Sequence, residues 1–172
     1  SESIEEIEDL SSLVKNFDIE KFSKSSVFFD PQDIERLNSK YIKNLDIEKL
    51  NKNYSADFDM KFWRIIRSNV NSIDEAIEWD NLIKKEFNLQ PKIILDKGLK
   101  DIIKVSMPNN VDKNFWEIWT NQILKQFDIK PKELYITLRR ILTGKKFGPS
   151  MNDLLTLIEK DEIMRRVDIN CE

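Results

Sequence analysis

A chain of 172 residues, 40% apolar and 34% charged, can bury one good core or two smaller helical cores sharing a boundary. Only 3 Gly and 5 Pro among many Leu, Ile, Lys and Glu favour helices over turn-rich β architectures. Apolar runs of two or three residues, as at Ile93-Ile94-Leu95, exclude a membrane span or signal-peptide core, and the expected setting is soluble and cytoplasmic.

The first helix is expected over Ile4 to Val14, with Ile4, Ile7, Leu10, Leu13 and Val14 on one face. A polar connection, Phe17 to Phe29, follows. Asp30-Pro31 reads as N-cap and first helical residue, since proline has no amide hydrogen to lose there. The helix it opens places Ile34, Leu37, Tyr41 and Leu45 on one stripe, and Asp46 to Tyr54 forms a shorter helix with Ile47 and Leu50 inward. From Phe58 to Val70 the apolar stripe is Phe62, Trp63, Ile66 and Val70, with Lys61, Arg64 and Arg67 on an adjacent arc. Ser72 and Glu75 form a capping box for a helix burying Ala76, Ile77, Trp79 and Ile83 and ending near Asn88, ahead of Pro91.

Asn88 to Lys92 is the expected boundary between two helical subdomains, residues 1–88 and 89–172. Beyond it a helix is expected over Ile93 to Ser106, then a break at Met107 to Asn110. Asp112 is placed as the cap of a helix carrying Phe115, Trp119, Ile123 and Phe127. Pro131 opens the next, with Leu134, Ile136, Leu138, Ile141 and Leu142, ending at Gly144. Ser150, with Asp153 three residues on, caps a last helix holding Leu154, Leu157 and Ile158. The fold class is all-α, as two consecutive helical bundles.

The absence of histidine removes the commonest metal ligand and general base, and with it Ser–His and Cys–His nucleophile systems. A single thiol, Cys171, excludes an internal disulfide and a zinc site built on several cysteines. Paired carboxylates remain, but abundant Glu and Asp on helices ordinarily form solvated faces. No metal or catalytic residue is therefore assigned.

The net charge of −3 hides an asymmetry. From Lys125 to Lys146 seven cations face two carboxylates, a local +5, so the rest of the chain carries −8. Within that stripe Arg139, Arg140, Lys145 and Lys146 stand with a Gly144…Gly148-Pro149 turn, a combination of cations and backbone amides suited to phosphate. Successive residues on a helix lie about 100° apart, so Arg139 and Arg140 point to different sides, one toward the core boundary and one toward solvent. Trp63, Trp79, Trp116 and Trp119 fall on or near apolar stripes, and core packing is the default for at least three of them.

Leu138-Arg139-Arg-Ile-Leu-Thr-Gly144, Gly148-Pro149, Leu154-Leu155 and Arg165-Arg166, in that order, resemble the C-terminal end of bacterial glutamyl-tRNA synthetases. Upstream, Phe17 to Ser25, Phe29-Asp-Pro31 and Leu37-Asn-x-x-Tyr41-Ile are similar to the start of that family's anticodon-binding region. Lys21-Phe-Ser-Lys-Ser25 also looks like the adenylate-forming Lys-Met-Ser-Lys-Ser loop of class I synthetases. No Gly-rich phosphate loop or buried parallel strand precedes it, however, and it matches a segment downstream of the catalytic loop.

The resemblance implies the anticodon-binding part of a longer enzyme that ligates glutamate to tRNA. The catalytic part, which uses ATP and magnesium, would lie before Ser1. The chain itself would need no cofactor and would act as a monomer on tRNA-Glu. One departure stands out, because Asn69 occupies a position where the family usually has arginine. Asparagine offers one donor end and one acceptor end in place of a bidentate fork, which leaves open whether tRNA-Gln is accepted as well. The resulting tRNA-binding candidates are Lys61, Arg64, Arg67, Asn69, Arg139, Arg140, Lys145 and Lys146. The alternative, motivated by the acidic body, is a helical protein–protein interaction module that does not bind tRNA.

Overall fold

The computed structural model describes residues 10–21, 30–96 and 98–172. The expected contacts of Ile4 and Ile7 and the Lys-Phe-Ser-Lys-Ser run after Lys21 lie outside them. Ten α-helices account for most of the described chain: α1 (Leu10–Asn16), α2 (Pro31–Asn44), α3 (Ile47–Tyr54), α4 (Met60–Ile66) and α5 (Ile73–Lys84), then α6 (Leu99–Val105), α7 (Phe115–Gln126), α8 (Pro131–Thr143), α9 (Met151–Leu154) and α10 (Lys160–Asn170). The all-α expectation holds. Among the described residues the one extended pairing is a parallel bridge between Ile93 and Cys171, and no helix is long and apolar enough to cross a membrane.

Local capping chemistry sets most helix starts in the first half. Asp30 accepts from the amide of Gln32 at 2.9 Å, with Pro31 as the first helical residue. Asp46 accepts from Glu48 and Lys49, Asp59 from Phe62, and Ser72 Oγ from Glu75. The Glu75 carboxylate reaches back to the amide of Asn71 at 2.8 Å, one residue beyond the capping-box partner, Ser72. The core these helices enclose is Ile42, Leu45, Leu50, Phe58, Phe62, Trp63, Ile66, Val70, Ala76 and Trp79. Trp63 keeps its indole N–H satisfied by donating to the Leu45 carbonyl at 3.1 Å, which locks α4 against the end of α2.

Three residues expected on apolar faces lie outside it, among them Val14 of α1, which is 67% exposed. Ile34 is 55% exposed because the first turns of α2 are uncovered, and the helix enters the core only at Ile42 and Leu45. Ile77 is exposed because it sits about 100° round the helix from Ala76 and about 200° from Trp79, which define the buried stripe of α5.

Residues 93–96 and Gly98 depart from the expected helix. Ile93 donates to the Asn170 carbonyl and accepts from the Glu172 amide, both at 2.9 Å, and Leu95 donates to the Glu172 carbonyl at 2.7 Å. Side chains alternate accordingly, with Ile93 and Leu95 half-buried and Ile94 exposed. β-Branched isoleucines suit this extended backbone, and the helix begins only at Leu99, after Gly98 at φ 87°.

The same buried cluster continues through Leu99, Ile103, Phe115, Trp119, Ile123, Leu134, Leu138, Ile141, Leu142, Leu154, Leu155, Ile163 and Val167. Trp119 donates its indole N–H to the Ile103 carbonyl at 2.7 Å. Ile136 is exposed on α8, against expectation. Asp112 caps a preceding turn by accepting from Asn114 at 2.8 Å, and Asn114 takes the N-cap position of α7. The expected helix from Ser150 to Ile158 is broken: α9 passes into a 3₁₀ turn, Leu155–Leu157, and Ile158 is extended. Ser150 makes no side-chain cap bond. Helix α10 then runs back across the molecule.

Helix α10 is a rivet. Arg166 is fully buried and donates from Nη1 to the Leu142 carbonyl at 2.9 Å and from Nη2 to the Leu82 carbonyl at 2.6 Å, joining the C-terminal turns of α8 and α5. Those carbonyls are ones a helix leaves unpaired, and they carry the negative end of its dipole. Glu162 neutralises the fork, accepting from Arg166 Nε at 2.7 Å and from Arg165 Nη2 at 2.8 Å. Asn170 completes the rivet by donating to Ile141 and accepting from the Leu89 amide.

Hydrogen bonds from Arg165, opposed by burial and reinforced by Arg166, hold the Glu162 carboxyl down at about 2. A carboxyl with a lowered folded pKa contributes stability that is present above about pH 4.5 and lost as the pH falls toward about 2. Glu162→Gln is therefore expected to flatten the acid limb of the stability profile, read from thermal melts across that window. An acid limb as steep as the parent's would assign it to other carboxylates.

Candidate nucleic-acid interface

The site grows from the end of α8. Glycine ends that helix because a left-handed residue is needed, and Gly144 sits at φ 68°. The following loop, residues 145–149, is pinned at both sides. Thr143 Oγ1 accepts from the Lys145 amide at 3.2 Å. The Lys145 ammonium lies 5.3 Å from the centroid of the Trp79 ring and 3.0 Å from Glu78 Oε2. At the other side Gly148, at φ 145°, packs against Trp79, where a Cβ would come to 2.5 Å from the ring. Pro149 is buried, and its carbonyl accepts from Arg139 Nη2 at 2.9 Å.

Arg139 is half-buried. Its Nη1 is shut off from solvent and has no hydrogen-bond partner, 3.6 Å from where a Gly148 Cβ would stand. Burial lowers the affinity of the guanidinium for its proton, although an arginine still keeps its charge. An orphaned buried donor costs roughly 1–3 kcal/mol, a cost that a partner bound beside it would relieve. Arg139 lines a cleft of about 220 Å³ with Trp116, Tyr135, Ile136, Met151 and Asn152. Asn152 Oδ1 is also buried and unpartnered. The Trp116 and Tyr135 rings form one wall, their centroids 5.9 Å apart. Aromatic faces, a planar cation and a side-chain amide can take a flat, polar-edged molecule such as a nucleobase.

The sequence candidates separate into distinct roles. Arg139 faces the cleft, and Arg140 is exposed on the next side of α8. Lys146 is exposed at the loop tip, whereas Lys145 is engaged with Trp79 and Glu78 and so ties the loop to α5. On α4, Lys61 donates to the Thr156 carbonyl at 2.5 Å, Arg64 is exposed, and Arg67 is half-buried at the C-cap. Asn69 is exposed, and its side-chain amide donates to the Ile65 carbonyl at 3.3 Å. The structure thus gathers Arg139, Arg140 and Lys146 about one loop and leaves the α4 cations on a separate element.

Sequence reading missed Trp116, Tyr135 and Asn152 as cleft walls. Tyr135 was available from its i, i+4 relation to Arg139 on one helix face. Trp116 and Asn152 come from other elements, and no local signal points to them. Among the described residues no cluster of three or more His, Cys, Asp or Glu side chains is arranged to hold a metal ion.

A family model described as an anticodon binding domain matches residues 74–171. Glutamate–tRNA ligase 1 of Rickettsia bellii (strain OSU 85-389) is 33% identical over 159 residues, covering 90% of this chain and 36% of that protein. Glutamate–tRNA ligase 1 of Wolbachia sp. subsp. Brugia malayi (strain TRS) is 34% identical over 170 residues, covering 97% of this chain and 38% of its own length. The solved glutamate-tRNA synthetase from Elizabethkingia anophelis superposes with a TM-score of 0.61 at 14% identity, covering 92% of this chain and 35% of that one. That likeness is one of fold. The chain spans a little over a third of the length of the curated relatives it matches.

Proposed function

The chain belongs to the anticodon-binding domain family, and from that premise we propose that it contacts the anticodon arm of tRNA-Glu as part of a cytoplasmic glutamate–tRNA ligase. The observation that carries this reading is the Arg139 cleft, a half-used guanidinium beside two aromatic rings on the basic side of an acidic chain. Arg139 and Asn152 supply the base edge with donor and acceptor groups, and Arg140 and Lys146 meet phosphates. Lys61, Arg64, Arg67 and Asn69 form a second contact region on α4 and the turn that follows it. ATP and magnesium belong to the ligation step of the parent enzyme, on residues other than these, and the chain acts as a monomer. Its two subdomains, 1–88 and 89–172, meet through α5. Acceptance of tRNA-Gln beside tRNA-Glu turns on Asn69.

The test is titration of the 172-residue chain with an anticodon stem-loop of tRNA-Glu and with the same stem bearing a scrambled loop. Arg139→Ala is expected to weaken the cognate stem-loop by about 5- to 100-fold, the range for one base-contacting arginine. Arg140→Ala is expected to weaken both RNAs alike and to reduce the salt slope by about one. Binding indifferent to loop sequence, to salt and to Arg139 would leave the protein-interaction alternative as the better account.

A further inference from the structure

Phe147 is 85% exposed, the second most exposed of the large apolar residues described, and it precedes Gly148, where a Cβ would stand 3.6 Å from Arg139 Nη1. Its neighbours explain why it cannot fold inward. Lys145 is held over Trp79 and to Glu78, Gly148 packs against the Trp79 ring, and Pro149 is buried and bonded to Arg139. Both ends of the loop are therefore pinned to the body, and the two residues between them, Lys146 and Phe147, stand outward as a pair. Leaving a phenylalanine ring in water forgoes the burial that it would gain in any core. A loop so firmly held offers no way to recover that loss within the chain.

The tip combines a cation with an aromatic face, the pairing by which proteins grip a single-stranded nucleic acid. We propose that Phe147 stacks on one unpaired base of the anticodon loop while Lys146 meets an adjacent phosphate. On this arrangement the tip orients the loop, and the neighbouring base is delivered to the Arg139 cleft. The inference rests on the tRNA-binding reading above but adds a residue and a mode of contact to it. Stacking of this kind tolerates any base, because every base has a π face. Phe147 thus contributes affinity and positioning, and the cleft supplies discrimination.

The experiment is a double-mutant cycle between the 172-residue chain and anticodon stem-loops carrying an abasic site at each loop position in turn. Phe147→Ala is expected to weaken the intact stem-loop by about 5- to 100-fold, and Phe147→Trp to restore it. At one loop position the abasic RNA should bind the parent and Phe147→Ala equally, since the stacked partner is already gone. Melting temperatures should match the parent, because the ring is not part of the core. Phe147→Ala binding within about twofold of the parent, while Arg139→Ala still loses affinity, would overturn the stacking role and leave the binding reading in place. Equal losses at every abasic position would also overturn it. If the parent binds no stem-loop at low salt, both readings fail together.

Discussion

Arg166→Met is expected to cost about 3–5 kcal/mol of folding stability, the range for removing one partner of a buried ion pair. Methionine fills much of the arginine volume, so the loss isolates the fork. The Leu82 and Leu142 carbonyls lose this donor outright, and Glu162 Oε1 is left with Arg165 Nη2 alone. Urea denaturation should show the midpoint falling with little change in slope. Arg166→Lys keeps the charge but cannot reach three divergent acceptors, and it should recover only part of the loss. Coupling to Glu162→Gln should be non-additive, since both changes dismantle one network. A midpoint within experimental scatter of the parent would mean that the apolar core alone joins α5, α8 and α10.

Gly148→Ala is expected to destabilise by about 2–4 kcal/mol, because a positive-φ backbone and an overpacked contact are forced together. The added methyl would meet Trp79 at 2.5 and 2.8 Å. The large buried indole has no room to swing away, so the loop must lift. Gly98→Ala is the matched comparison, with φ 87° but nothing within 4 Å of the new Cβ. It should cost only the backbone strain, about 1 kcal/mol. Lifting the loop also withdraws Pro149 from Arg139, so Gly148→Ala should weaken RNA binding where Gly98→Ala does not. Equal urea midpoints for the two variants would show that the Trp79 contact yields easily.

Short-range signals explain what was legible. Asp30-Pro31, Ser72, Pro131 and Gly144 each act within one helical turn, and the structure uses all four where the sequence places them. The split between Arg139 and Arg140 follows from the 100° step of a helix and needs no tertiary information. The extended run from Ile93 was not legible, because its pairing partner is Cys171, at the far end of the chain. Ile34, Ile77 and Ile136 have the right chemistry for a core but sit where no described element covers them. Lys145 reads as a phosphate ligand by composition. Only the fold shows its ammonium over Trp79, more than sixty residues away. The cleft behaves the same way: Arg139 and Tyr135 share a helix face, but Trp116 and Asn152 arrive from other elements.

The reach of α10 has a consequence for how the chain is made. Arg166 and Asn170 bond to Leu82 and Leu89, groups synthesised about eighty residues earlier. Contacts of such separation close late, because the loop entropy is lost before the contact compensates it. On a ribosome the end of α5 and the segment after it must wait, their carbonyls and amides hydrated, until α10 has emerged. The bonds that α10 makes therefore close late, formed by a helix that arrives after the surfaces it joins.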